Sequence, residues 1–245
     1  MRNQFSALAR DATFIPFVYD YCDLWCERCP LTARCLLFAA EPLRPAGTSA
    51  GEERLRLQTA LALSTAVIEA SSPEQQPVAR LDLALCDIST APKGPAIGHP
   101  LEFLGSQYGL RVDAFLGSLA PVLDDCGQPD APLQLIARYH WLIPAKIYRA
   151  LVSHYQAVAG VPELLADALG TAKIALILID RSLSEWRSIA ARDDDARIDG
   201  LMELLQALRT AVEIRFPDAR AFVRPGLDDG SGAAVPTRQS RRGRS

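Results

Sequence analysis

The sequence predicts an all-α fold: a helical bundle with an N-terminal four-cysteine metal-binding module. Three observations point there. Apolar residues recur at helical intervals through successive long segments. The one run that could pass as a buried strand, TAKIALILID, has no companion run of the kind a parallel sheet requires. Finally, Cys22, Cys26, Cys29 and Cys35 fall within fourteen residues, in YCDLWCERCPLTARC. Together they imply a cysteine-rich module at 1–45 packed on the bundle, a helical bundle at 46–224, and a disordered Arg-containing tail at 225–245.

The module opens with the aromatic and apolar stretch Phe14 to Tyr21. Phe14, Phe17, Tyr19, Trp25, Leu36, Leu37 and Phe38 give it more apolar surface than an isolated metal knuckle needs, and such surface has to be covered. EPLRPAGTSAG follows as a connector rich in Pro and Gly. Ser49 stands three residues before Glu52, a capping-box spacing, and Leu57, Leu61, Ser64 and Ile68 continue at helical intervals. Residues 79–86 extend a short helix.

After the connector APKGPAIGHP, Pro100 suits the first turn of a helix running to about Cys126. A helix from Ala131 to about Val158 carries Ile136, Tyr139, Ile143, Ile147 and Leu151 on one stripe, with a kink expected at Pro144. Pro162 to about Arg192 is apolar nearly all round, as a central helix of a bundle should be. Ile198, Leu201, Leu205, Leu208 and Val212 define the last helix, and Phe216-Pro217 stops it. The Gly, Ser, Pro and Arg content from Gly226 onward reads as a solvated tail.

Composition narrows the class. With 49% hydrophobic and 22% charged residues the balance is that of an ordinary globular protein. The longest apolar run, Ile174 to Ile179, is far too short to span a bilayer, so no membrane partner is expected. Arg10 and Asp11 precede the first apolar stretch, with no small-residue cleavage site, so no signal peptide is expected. The expected compartment is the cytoplasm, where thiols stay reduced and open to metals. Arg238, Arg241, Arg242 and Arg244 sit in the last eight residues and leave the preceding body more acidic than the net charge of −3 suggests. Without interleaved aromatics on an acidic body they do not make a nucleic-acid site.

The cysteine spacing is C-x3-C-x2-C-x5-C. Thiolates are soft ligands for zinc and for iron–sulfur clusters, and Cys86 and Cys126 stand apart from this group. Structural zinc sites usually pair two knuckles across a longer loop. Three thiols within eight residues and a fourth soon after are more compact, closer to the ligation of an iron–sulfur cluster such as [4Fe–4S]. Pro30 directly after Cys29 fits the same pattern. An iron–sulfur cluster with a redox or electron-transfer role, working with a protein redox partner, is the first expectation. A structural zinc site on a helical interaction module is the alternative.

Three resemblances attach to these residues. Cys22, Cys26 and Cys29 match the C-x3-C-x2-C motif of radical S-adenosylmethionine enzymes, which also resemble one another in an aromatic residue before the third cysteine and a β/α barrel behind it. Here that position is Arg28, the downstream chain reads as helices, and Cys35 is placed to close the open site. Cys26, Cys29, Pro30 and Cys35 look like the C-x2-C-P-x4-C end of the cluster in RecB-family nucleases. That family needs an acidic residue two positions before a lysine, and none of Lys93, Lys146 or Lys173 has one. Lastly, YCDLWCERCPLTARC with ARYHWLIPAKIYRAL and DALGTAKIALILIDRS resembles an uncharacterised bacterial helical protein family with a Y-C-D-x-W-C-x-R-C-P motif. That resemblance implies one unit of module and bundle, and no assigned activity.

Other chemistry is sparse. No histidine has a glutamate three residues before it, so a ferritin-like di-iron centre is not encoded. The chain uses lysine three times, and two of these, Lys146 and Lys173, lie in its most apolar helices. Lys173 and Asp180 share a helix face, and Pro144 frees the carbonyl of His140 at the expected kink. His140, Lys173 and Asp180 are therefore expected to meet as one interior polar site. The plain alternative is buried charges and a histidine paired separately in the core.

Overall fold

The computed structural model describes residues 11–40, 96, 98–126, 130–162 and 164–230. The helices expected around Leu57 to Ile68 and at 79–86, and Cys86 with them, lie outside the described residues. No strand occurs among the described residues, and none of their helices is long and apolar enough to cross a membrane. These residues form two compact units: 11–19, 24–40 and 223–230 make one, and 20–23 with 96–222 the other.

The first unit is built from tight turns. Cys26–Arg28 and Thr32–Arg34 are single 3-10 turns, and Leu36–Ala40 is a five-residue helix, α1. The Ile15 amide donates to the Arg34 carbonyl at 3.0 Å and ties the opening segment to the second turn. Residues 225–230, where the sequence suggested the tail begins, form a turn closed by Arg224 and Asp228, whose side chains pair at 2.7 Å. Gly226 in that turn has φ +77, and a Cβ there would lie 2.5 Å from Ile15 Cδ1, so both backbone and contact call for glycine. Leu24 takes φ 54, a left-handed conformation that costs a residue with a Cβ roughly 1–2 kcal/mol. Its near-complete burial holds it there.

The second unit is a bundle of five helices: α2, Pro100–Cys126; α3, Ala131–Tyr139; α4, Leu142–Val158; α5, Leu164–Ala190; and α6, Ala196–Arg215. His99 Nδ1 accepts from the Leu101 amide at 3.1 Å and caps α2, Asp130 caps α3 and Asp195 caps α6. The short link after Val158 makes α4 and α5 an antiparallel pair with the most extensive helix contact in the unit. TAKIALILID is the middle of α5, which packs against α3, α4 and α6 and buries residues on nearly every side. Trp186 of α5 is fully buried, donates to Tyr108 Oη at 3.1 Å and meets the Phe115 ring edge-on.

The helix expected across Pro144 is two helices. The chain leaves α3 at Tyr139, turns through His140 and Trp141, and restarts at Leu142. Pro144 thus sits in the first turn of α4, where a missing N–H forfeits no hydrogen bond, instead of kinking a continuous helix. The break is covered by α2. A Cβ on Gly105 would lie 3.2 Å from Pro144 Cβ, and one on Gly109 would lie 2.9 Å from the Trp141 ring and 3.3 Å from the His140 carbonyl oxygen.

Gly109→Ala should therefore lower stability by about 1–3 kcal/mol through overpacking. Gly117→Ala, in the same helix with nothing within 4 Å of its new methyl, should raise it by roughly 0.5–1 kcal/mol. Urea unfolding midpoints of the two variants read both signs.

Candidate metal centre

In the first unit, the cysteine segment is folded so that backbone amides face sulfur. Cys29 ends the turn begun by Cys26, its amide donating to the Cys26 carbonyl at 3.2 Å. With Pro30 holding the next corner, the Leu31 amide points back and donates to Cys29 Sγ at 3.4 Å. Cys35 precedes α1 and accepts the Ala39 amide on its carbonyl, and the nearby amides of Leu37 and Phe38 favour its thiolate. Cys35 is buried, whereas Cys26 and Cys29 are half-exposed, and all are thiols. Burial, reinforced by the charges of Cys26 and Cys29, pushes the Cys35 pKa up to about 11 against the pull of the two amides. Arg28 stacks its guanidinium 3.9 Å over the Trp25 ring, beside Cys26 and Cys29 in sequence.

The Leu31 amide aimed at the Cys29 sulfur fits thiolate ligation, because N–H donors to ligand sulfurs orient them and spread their charge. Among the described residues no three His, Cys, Asp or Glu side chains gather closely enough round one point to hold an ion.

Cys22 belongs to the second unit, in the segment Asp-Tyr-Cys-Asp at 20–23. The Lys146 ammonium, 4% exposed, donates to the Asp20 carbonyl at 2.7 Å. Arg149 Nη2 lies 3.6 Å from the Asp20 carboxylate, and its Nε donates to Asp167 at 3.0 Å. Ser153 also donates to Asp167, which sits in the first turn of α5 where a carboxylate complements the helix dipole. Burial lowers the Lys146 pKa, and the negative charges of Cys22, Asp20 and Asp167 work against that fall. Tyr21 lies against Gly170, where a Cβ would be 2.5 Å from its ring, and meets Phe222 edge-on. Burial foremost, then Asp167 and Asp20, holds its hydroxyl protonated far above the ordinary range. On the far side, Asp23 Oδ2 accepts from Arg181 at 2.8 Å and from Tyr139 Oη at 3.2 Å.

The expected interior site is divided among separate partners. His140 is buried, its Nδ1 2.7 Å from the Ala137 carbonyl and its Nε2 3.8 Å from Asp113. Lys173 donates to the Phe222 carbonyl at 2.6 Å and holds the chain after α6 against α5. Asp180 pairs with Arg209 and Arg220, at 3.5 and 2.9 Å. The polar cluster in the bundle interior is instead Lys146, Arg149, Ser153 and Asp167 with Asp20. One signal for it was available: Lys146, Arg149 and Ser153 share a face of an apolar helix. The bundle also holds an apolar pocket of about 260 Å³, lined by Phe115, Leu119, Leu133 and Ile189 together with the paired Asp130 and Arg192 and with Asp193.

Comparison with protein-family models, with curated proteins and with solved structures gives no match to this chain. The functional reading therefore stands on its residues.

A buried thiol with a raised pKa keeps its proton in the folded chain where the unfolded chain has lost it. Its contribution to stability is complete below about pH 9 and is lost as pH climbs through about 11. In metal-free protein, stability should fall over that interval by on the order of 2 kcal/mol more for the native chain than for Cys35→Ala. Urea midpoints at the two ends of the interval measure this. At neutral pH, iodoacetamide should modify Cys26 and Cys29 before Cys35.

Proposed function

We propose that Cys22, Cys26, Cys29 and Cys35 are the ligands of one metal centre and that the centre is an iron–sulfur cluster. The observation that carries this reading is the Leu31 amide donating to Cys29 Sγ at 3.4 Å, within the four-cysteine spacing. Support for Cys22 is its place in the C-x3-C-x2-C-x5-C spacing. A cluster held there would supply one-electron transfer, with a potential set by hydrogen bonds to sulfur and by exposure. The chain's own part is to bind and insulate it. Cys35 is buried under α1, Cys26 and Cys29 are half-exposed, and Arg28 over Trp25 adds positive charge next to them. A centre so placed suits exchange of electrons with a protein redox partner, in the reducing cytoplasm where its thiols persist.

Purification of the full chain without oxygen tests this. Brown protein with broad absorbance near 400 nm, a region of thiolate-to-iron charge transfer, and with iron and sulfide on analysis is the expected result. Cys29→Ser should lose the metal and Cys126→Ser should keep it. Colourless protein with one equivalent of zinc would make the cysteines a structural clip on a helical interaction module. Protein with neither metal would overturn the reading.

A further inference from the structure

We propose that the apolar pocket of the bundle binds a small primary amine carried on a single ring by a short tether, with Asp193 receiving the ammonium at its mouth. The pocket lies wholly among α2, α3 and α5, and neither it nor its test involves the cysteines.

The ends of three helices supply the walls. Phe115 and Leu119 come from the later part of α2, Leu133 from the first turn of α3 and Ile189 from the last turn of α5. The Phe115 ring is held in place by Trp186, which meets it edge-on at 5.3 Å and is itself bonded to Tyr108. The space is about 260 Å³. A cavity of roughly 150 Å³ lined by Leu, Ile and Phe accepts benzene, and sites for drug-sized molecules begin at about 300 Å³. A volume between these suits one ring with a short tether.

Charge at the mouth selects the head group. The lining there carries two carboxylates, Asp130 and Asp193, against one guanidinium, Arg192. Arg192 is already engaged, pairing with Asp130 at 2.7 Å and donating from Nε to the Ser188 carbonyl at 3.1 Å. Asp130 also accepts the Leu133 amide at 3.1 Å. Arg197, whose guanidinium lies 4.9 Å over the Phe115 ring, is held by Asp195 at 2.6 Å and donates to Ser118 at 3.0 Å. Asp193 is different: among the described residues its carboxylate has no hydrogen bond or ion pair, and it acts on Arg197 only through its field. It also follows the C-terminus of α5, its amide donating to the Ile189 carbonyl at 3.0 Å, where the helix dipole adds further negative charge. A cation is therefore favoured at this corner and an anion is repelled. A primary ammonium fits best, being compact and bringing three donors to a carboxylate and helix-end carbonyls. Because Asp193 is exposed, the apolar ring supplies most of the affinity and the ion pair supplies the selectivity.

The test uses the full chain and three probes of one shape: 2-phenylethylamine, 2-phenylethanol and phenylacetate. Each is titrated by calorimetry and by NMR of the Leu and Ile methyl groups, against the native sequence, Asp193→Asn and Leu119→Trp. The amine should bind the native chain saturably, with a dissociation constant of about 1 mM or lower, and shift the methyls of Leu119, Leu133 and Ile189. The alcohol should bind more weakly and the carboxylate weakest. Asp193→Asn should weaken the amine about 3–5-fold, near the upper end for an exposed ion pair, and leave the alcohol unchanged. Leu119→Trp, which fills the pocket, should abolish binding of all three. Should Leu119→Trp fail to fold, Asp193→Asn decides, because that side chain is exposed and lies beyond the end of α5. No saturable binding of the amine to the native chain would overturn the proposal. Equal binding of all three probes, or an amine affinity untouched by Asp193→Asn, would overturn it too.

Discussion

The ammonium of Lys146 lies inside an apolar bundle, and burial of a charge has to be compensated or the proton is lost. Compensation comes from outside the helix that carries it. The Asp20 carbonyl accepts its hydrogen bond at 2.7 Å, and Asp20 and Asp167 supply the counter-charges, with Arg149 shared between them. Breaking one member of such a network leaves another buried and unpaired, which is why these networks behave as a unit. The consequence reaches along the chain. Residues 20–23 are part of the bundle although 24–40 belong to the other unit, and the chain changes allegiance at Leu24, where φ is 54.

The same economy of partners shapes the bundle elsewhere. Pro144 cannot donate, so the helix ends before it and begins again with the proline in a turn that asks for no donor. The break exposes the His140 carbonyl and the Trp141 ring to a neighbouring helix, and α2 approaches them with Gly105 and Gly109 because a side chain would collide. The α5 helix, packed against α3, α4 and α6, spends most of its interior positions on Ala, Ile and Leu, and its charged Lys173 and Asp180 have partners of their own. Lys173 takes the Phe222 carbonyl, and Asp180 takes Arg209 and Arg220.

These particulars show what is readable from one chain. The bounds of α2, α5 and α6 follow local signals: Pro100 at a start, unbroken apolar periodicity through 164–190, and Phe216-Pro217 at a stop. The path of the cysteine segment is also local, because two turns and one proline bring the Leu31 amide to the Cys29 sulfur. The break at His140 was readable only as a kink, since a proline four residues later allows either outcome. Packing against Gly105 and Gly109 accompanies the one observed. Nothing local in sequence assigns partners to His140, Lys173 and Asp180. Each found its own: a carbonyl three residues back, a carbonyl 49 residues on, and two arginines from beyond α5.

The amino-acid sequence by itself determined the helical class, the places where most helices begin and end, and the close spacing of four cysteines. All three depend on side-chain type and spacing within a few turns of chain. Only the tertiary structure decided that Asp20 to Asp23 are held by Lys146, Arg149, Arg181 and Tyr139. It alone selected this set over Lys173 and Asp180 for the polar interior. The physical reason is range. A helix propensity or a turn is set by neighbours in sequence, but a buried charge is satisfied by whichever group the fold brings within about 3 Å, and that group lies more than a hundred residues away for Lys146.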